Sequence, residues 1–241
     1  MAYYGEEQMR EFFERAQIIV VGGGAAGMMA ATVAARNGAD VLLFEKNDRL
    51  GKKLRITGKG RCNVTNDCDR NEFMSNVATN SKFLFASLSR FSTADTKDFF
   101  EELGVPLKVE RGKRVFPVSD KAEDIVSAMK RACDDAGVTV INKKVDDLII
   151  EGGRVVGVIA EGEAYGARSV IVCTGGASYP RTGSTGDGYR FAKKAGHKIV
   201  EIRPSLVPLV SSGKLCARLQ GLSLKNIGFK IKDTESGKVV F

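Results

Sequence analysis

Residues 17–45, QIIVVGGGAAGMMAATVAARNGADVLLFE, constrain this 241-residue chain more than any other stretch. Ile18 to Val21 is a short apolar run of the kind that forms a buried strand. It empties into Gly22-Gly23-Gly24-Ala25-Ala26-Gly27, which fits G-x-G-x-x-G with glycines at 22, 24 and 27. The spacing predicts a helix from about Ala25 to Asn37, ended by Gly38 in a left-handed conformation. A second apolar run, Val41 to Phe44, then stops at Glu45. Each part has a physical task. Gly22 permits a tight turn, Gly24 lets backbone approach a pyrophosphate, and Gly27 lets helix and strand pack closely. The helix start at Ala25 and Ala26 offers free N–H groups and the positive end of its dipole to phosphates. Glu45 is placed to accept hydrogen bonds from ribose hydroxyls, and its charge would repel a 2′-phosphate. With strand, turn, helix, strand and acid in order, the stretch reads as a dinucleotide site.

Composition narrows the class. Hydrophobic residues make up 43% of the chain, enough for a full core. The 37 Lys and Arg against 29 Asp and Glu leave +8. The positives are scattered and no basic stripe carries interleaved aromatics, so the excess is assigned to a solvated surface and attraction for an anionic cofactor rather than to specific nucleic-acid binding. Five cysteines, at 62, 68, 133, 173 and 216, form no C-x-x-C pair. That argues for a reducing compartment and against a disulfide scaffold or metal site. The first sixteen residues carry acids and no apolar signal-peptide core, and Met9, Phe12, Phe13 and Ala16 suit a lead-in helix over 1–16. No apolar run approaches a membrane span. A cytoplasmic protein without a membrane partner is expected.

After Glu45 comes a polar, basic segment, Lys46 to Asp67, read as a long loop without regular structure. Loops of that length are usually functional. Lys46, Lys53, Thr57, Gly58, Gly60, Arg61, Cys62 and Asn63 are its candidate cofactor contacts. Asn71 to Phe91 is expected to be largely helical, with Phe83, Leu84, Leu88 and Phe91 apolar on one side and the phenylalanines in the core. A helix over Thr93–Leu103 ends at Gly104, and strands follow around Leu107–Glu110 and Arg114–Pro117. Ser119 or Asp120 is expected to cap the next helix, with Glu123 closing a capping box on Asp120. Ala122, Ile125, Val126, Met129, Cys133 and Ala136 give that helix an apolar stripe, which makes Cys133 a packing residue. Val138–Ile141 is a further strand. Lys144–Ile150 and Arg154–Ala160 flank Gly152-Gly153 as a hairpin, and Tyr165–Ala167 begins a third meander strand. Ser169–Cys173 reads as a buried strand emptying into Thr174-Gly175-Gly176, as a second close approach to a cofactor requires. Asp187, counted among the candidate cofactor contacts, stands at an N-cap position before a helix from about Gly188 to Ala195. His197, the one histidine, is taken as structural. Beyond Pro204, strands at Leu206–Val210, Leu222–Ile231 and Lys238–Phe241 suggest a β-rich unit.

Three segments carry a resemblance: TGKGRCNVTN (57–66), RVFPVSDKA (114–122) and TGGASYPRTGSTGDGY (174–189). With the Gly22–Gly27 motif, Glu45 and the Val145 meander, they resemble the two-dinucleotide-binding-domain flavoproteins. Within those, the chain is similar to a bacterial NAD(P)/FAD-dependent oxidoreductase family that includes aminoacetone-oxidase-like proteins and a flavoprotein linked to bile-acid dehydroxylation. The resemblance implies an α/β, Rossmann-like FAD domain with a β-meander over 17–203 and the start of a β-rich insert over 204–241. It implies that Gly22–Gly27 holds the pyrophosphate and Glu45 the adenosine ribose. Val145 would touch the adenine through its backbone, Thr174, Gly175 and Gly176 would pass the cofactor on its other side, and Thr57–Asn63 would lie toward the flavin. The family's glycine-rich returning segment, set against the flavin ring, has no counterpart in these residues. The chain is therefore expected to hold the adenosine half of FAD better than the ring.

The sequence thus points to an FAD-dependent oxidoreductase working by hydride transfer through the flavin N5, with NAD(P)H or a small amine-like molecule as its partner. No residue is assigned as catalytic acid or base. A disulfide-reductase route through Cys62 and Cys68 is disfavoured by their spacing. An FAD-binding RNA-modifying protein, which +8 would suit, and a flavin-less binding module on the same fold are the alternatives. Substrate, electron acceptor and oligomeric state are not specified.

Overall fold

The structure, a computed structural model, describes residues 16–204, 213–223, 227–228 and 230–239. The expected lead-in helix lies, apart from Ala16, outside the described residues. The chain divides into two units, one up to Ile199 and one from Val200.

The first unit is built on a four-stranded parallel sheet. β1 (Ile18–Val21) lies between β2 (Val41–Phe44) and β10 (Ser169–Val172), and β6 (Thr139–Ile141) pairs with β2. Neighbouring residues on a strand point to opposite faces, so a sheet covered on both sides needs unbroken apolar strands. Val20 and Leu43 face one cluster, packed with Met28 and Ala31 of α1 (Ala25–Arg36) and with Ile125, Met129 and Cys133 of α5 (Ala122–Asp135). Ile19, Val21 and Phe44 face the other, against Val145 and Leu148 of β7 (Val145–Glu151), Val158 of β8 (Arg154–Ala160), and Phe191. β9 (Glu163–Gly166) completes that antiparallel meander. Each fully buried Val, Leu or Ile contributes ~1.5–3 kcal/mol, so the two clusters account for the sheet's position. Cys133 is a packing residue as expected, its sulfur 3.3 Å from Thr32 Oγ1.

A second antiparallel sheet joins β3 (Thr65–Asn66), β5 (Arg114–Pro117) and β4 (Leu107–Glu110) in that order. Helices α2 (Arg70–Ser75), α3 (Phe85–Arg90) and α4 (Thr93–Glu102) lie between β3 and β4 in the chain.

Several expectations are corrected. The loop after Glu45 holds short 3-10 turns within Leu54–Gly60, broken where Thr57 is extended (ψ 150°) and Gly58 and Lys59 are left-handed (φ 54° and 60°), and buried Leu50 and a hydrogen bond from Gly51 N–H to Gly23 O (2.8 Å) anchor its start. The helix expected over Asn71–Phe91 is broken at Asn80, whose φ of 54° is left-handed. Phe83 is 86% exposed and Phe91 is exposed, while Leu84 and Leu88 are half-buried, so this is not core. The capping box before α5 does not form: Lys121 is the N-cap, Asp120 accepts from Arg61 and Lys108, and Glu123 accepts both Arg55 bonds (2.7 and 2.9 Å). Cations distant in sequence have claimed the caps. β10 is an edge strand, so its residues are half-buried or exposed rather than buried. Finally Asp187 is the first residue of α6 (Asp187–Lys194), not its cap, which is Gly186.

In the second unit the described residues hold a one-turn helix, α7 (Leu215–Arg218), and an antiparallel bridge between Lys232 and Val239. Leu206–Val210 lies outside the described residues. The described part of Leu222–Ile231 is not strand. No helix among the described residues is long and apolar enough to cross a membrane.

Candidate functional site

The C-terminal ends of β1, β2 and β10 open into a cleft of about 680 Å3, where an open parallel sheet binds its ligands. Its glycines divide the labour as the motif requires. At Gly22 φ is +108°, and a Cβ would stand 2.5 Å from the Cys173 carbonyl oxygen, so β1 and β10 could not close together. A Cβ on Gly27 would run into the Gly22 carbonyl oxygen, separating α1 from the strand. Gly24 differs. Its φ is −79° and a Cβ there would meet nothing within 4 Å. The protein itself has no need of a glycine at 24; a ligand pressed onto the backbone does. α1 has no side-chain cap and no acid in its first turn, so its N–H groups and dipole face the cleft uncompensated. These features fit a dinucleotide pyrophosphate.

Glu45, at the end of β2, is 7% exposed. Its Oε2 accepts from Gly23 N–H (2.7 Å), and Oε1 accepts from the backbone and side-chain nitrogens of Asn47 (2.7 and 2.6 Å). Two carboxylate oxygens offer about four lone-pair sites, so acceptor capacity remains toward the cleft.

The residues after Glu45 cross to the opposite wall. Lys46 Nζ donates to Thr185 Oγ1 and Asp187 Oδ2, each at 2.7 Å. Lys53 Nζ donates to Ser178 O (2.9 Å) and Ser184 Oγ (3.2 Å). Burial pushes the Asp187 carboxyl upward, but the hydrogen bonds from Lys46 and Thr185 outweigh it and hold the group below the usual carboxylate range. Lys143 lines the floor beside Val145, and its hydrogen bonds to Glu163 and Tyr165 hold its ammonium well above the ordinary lysine range. Four lysines and two carboxylates line the cleft, a balance that favours phosphate.

Of the residues singled out from sequence, the cleft brings together Gly22, Gly24, Ala25, Ala26, Glu45, Lys46, Lys53, Thr57, Val145, Thr174, Gly175 and Asp187. Gly27 packs behind it, and Gly176 O accepts from Gly186 N–H at 3.1 Å. Gly58, Gly60, Arg61, Cys62 and Asn63 do not line it. Gly58, Arg61 and Asn63 lie against the small antiparallel sheet instead, and Cys62 packs in the core cluster of Val20 and Met28. Arg61 lies 4.1 Å over the Phe116 ring and bonds Glu110 and Asp120, and the Asn63 carboxamide donates to Thr65 O (3.0 Å) and Val115 O (3.2 Å). Cys62 is buried, and that burial pushes its thiol upward. All five cysteines are free. Sequence reasoning passed over Asn47, Lys143 and Ser184. Only Lys143, two residues before Val145 and so on the same side of an extended chain, left a readable signal.

Residues 16–240 match the HI0933-like protein Rossmann domain family. The chain is 32% identical over 187 residues to the 3-dehydro-bile acid delta(4,6)-reductase of Clostridium scindens, covering 73% of this chain and 43% of that protein. It is 29% identical over 197 residues to the ribosomal RNA dihydrouridine synthase of Haemophilus influenzae, covering 79% and 48%. The chain thus spans about half the length of the curated relatives it matches. Among solved structures, the 3-ketosteroid-delta4-(5alpha)-dehydrogenase of Rhodococcus jostii shares the fold with a TM-score of 0.54 at 20% identity, over 68% of this chain and 46% of that one. The chain belongs to the HI0933-like protein Rossmann domain family.

Proposed function

We propose that this chain is the cofactor-binding part of a reductase in which NAD(P)H supplies electrons to FAD and a carbon–carbon double bond conjugated to a carbonyl receives them. The observation that carries the reading is the bare start of α1 beside Gly24, a cradle open to a pyrophosphate and closed to nothing in the protein. FAD, when bound, supplies hydride acceptance and release at its flavin N5. The residues of this chain bind and orient it. Gly24, Ala25 and Ala26 would hold the pyrophosphate, Glu45 would take the ribose through the remaining lone pair of Oε2, and Val145 would border the adenine. Lys46 and Lys53 fasten the opposite wall.

The acceptor class draws on the two relatives. One is named for reducing a delta(4,6) bile-acid derivative and the other for making dihydrouridine. Both names describe saturation of a double bond conjugated with a carbonyl, which ordinary hydride addition accomplishes. The test is anaerobic reduction of the flavin by NADH and by NADPH, followed by reoxidation with a cyclic enone, an amine-derived imine or oxygen. Bleaching by a nicotinamide and recovery with the enone is the expected result. Recovery with oxygen alone would return the reading to an oxidase.

A second reading, action on RNA, is favoured by the dihydrouridine synthase relative together with the +8 charge. A salt-dependent mobility shift of ribosomal RNA fragments would support it, and none at low salt would remove it.

A further inference from the structure

We infer that the groove beside the dinucleotide cleft, walled by Arg49, Arg181 and Tyr179, binds the 2′-phosphoadenosine end of NADPH. The inference deepens the reading of NAD(P)H as electron donor and rests on it.

The groove measures about 580 Å3, within the range of small-molecule sites. Four cations line it and no carboxylate does. They are not equally available. Arg55 is committed to Glu123 through two bonds. Arg49 stands 3.6 Å from Asp48, with both side chains more than half exposed, a pair worth little in water. Arg181 has no acidic partner among the described residues. An exposed guanidinium without a carboxylate, lining the same groove as a second loosely held one, suits a phosphate dianion, which can take two parallel N–H bonds from a guanidinium.

The remaining wall is aromatic. Tyr179 is 67% exposed, and its φ of 56° is a left-handed conformation that a bulky residue adopts at a cost. The conformation is fixed by hydrogen bonds from Thr182 N–H (2.9 Å) and Thr182 Oγ1 (2.7 Å) to Tyr179 O. The backbone is thus fixed, Lys53 Nζ stands 5.9 Å from the centre of the exposed ring, and the ring offers a face for a purine. Phosphate donors beside a stacking surface recognise a nucleotide, and the extra phosphate separates NADPH from NADH. The position suits a donor, since Lys52 and Thr182 line both this groove and the cofactor cleft. Single-stranded RNA offers the same phosphate and base. A strand, however, needs a longer cationic track than this groove provides.

The experiment titrates FAD-saturated protein with adenosine 2′,5′-bisphosphate, and with AMP as the control, by calorimetry. FAD fills the main cleft, so binding reports the groove. The bisphosphate is expected to bind roughly tenfold or more tightly than AMP, and Arg181→Gln to erase that advantage while flavin content stays constant. Tyr179→Ala should weaken both ligands and Tyr179→Phe neither. Equal affinities for the two ligands, or an Arg181→Gln variant that binds as the parent does, overturns the assignment. Displacement of the bisphosphate by a single-stranded RNA oligonucleotide but not by NADPH also overturns it, in favour of RNA. If the bisphosphate binds through Arg181 while neither nicotinamide bleaches the flavin, the groove stands and the donor reading falls.

Discussion

Gly24 and Gly27 stand three residues apart and should fail in opposite ways. Gly24 has an ordinary φ and open space beyond it, so Gly24→Val should fold normally yet lose FAD, read as absent flavin absorbance with an unchanged circular dichroism spectrum. Gly27 has the Gly22 carbonyl where its Cβ would be. Gly27→Ala should cost about 1–3 kcal/mol of stability as overpacking, seen as a lower urea midpoint. Glu45 combines the two roles. In Glu45→Ala the Gly23 N–H loses its acceptor, costing ~1–3 kcal/mol of stability, and FAD binding should weaken by ~1.5–3 kcal/mol. Glu45→Gln keeps an oxygen for Gly23 and should recover most of the stability; equal urea midpoints for Gln and Ala would remove that anchoring role. The sequence spacing marked Glu45 as a candidate ribose partner. Its bond to Gly23, across 22 residues, left no trace in any local pattern.

Between elements, the contacts from Lys46 and Lys53 to residues 178–187 tie the wall that follows β2 to the wall that follows β10. Lys46 and Asp187 are a quarter exposed or less, so Lys46→Met should cost about 1 kcal/mol and speed flavin release roughly fivefold, measured by stopped-flow fluorescence. The pH dependence has a definite sign. Asp187 titrates lower in the folded chain than unfolded, so the pair's contribution is complete above the ordinary carboxylate value of about 3.9 and fades as pH falls through the depressed one. Release from the parent should therefore stay constant from neutral pH down to about 4 and accelerate only below it. Acceleration near pH 6 would point to another group. Elements with local signals were legible: β1, β2, β4, β5 and the Gly152-Gly153 hairpin follow from short-range pattern. Those decided by distant partners were not. Asp120 and Glu123 read as caps because Arg61, Lys108 and Arg55 are invisible to a window of a few residues. Phe83 and Phe91 read as core because apolarity was counted without knowing that the chain turns at Asn80.

At the scale of the molecule, both apolar clusters lie within residues 16–191, and every described residue from Val200 onward is exposed. A chain ending at Ile199 should therefore unfold at the urea midpoint of the 241-residue chain; a clear fall would mean that the second unit contributes to stability. The parallel sheet was legible as a class but its neighbour order was not, since nothing in Ser169–Val172 states that it will lie against β1. That pairing joins Ile18 to Ser169, 151 positions apart. A polypeptide leaving the ribosome thus exposes its phosphate-binding turn long before the strand that closes it has been made. Until residues 169–187 emerge, β1 has one bare edge, and Thr174, Gly175 and Asp187 do not yet exist. A cofactor that needs both walls of the cleft would meet a fold already assembled, so saturating FAD should slow unfolding while leaving the rate of refolding unchanged.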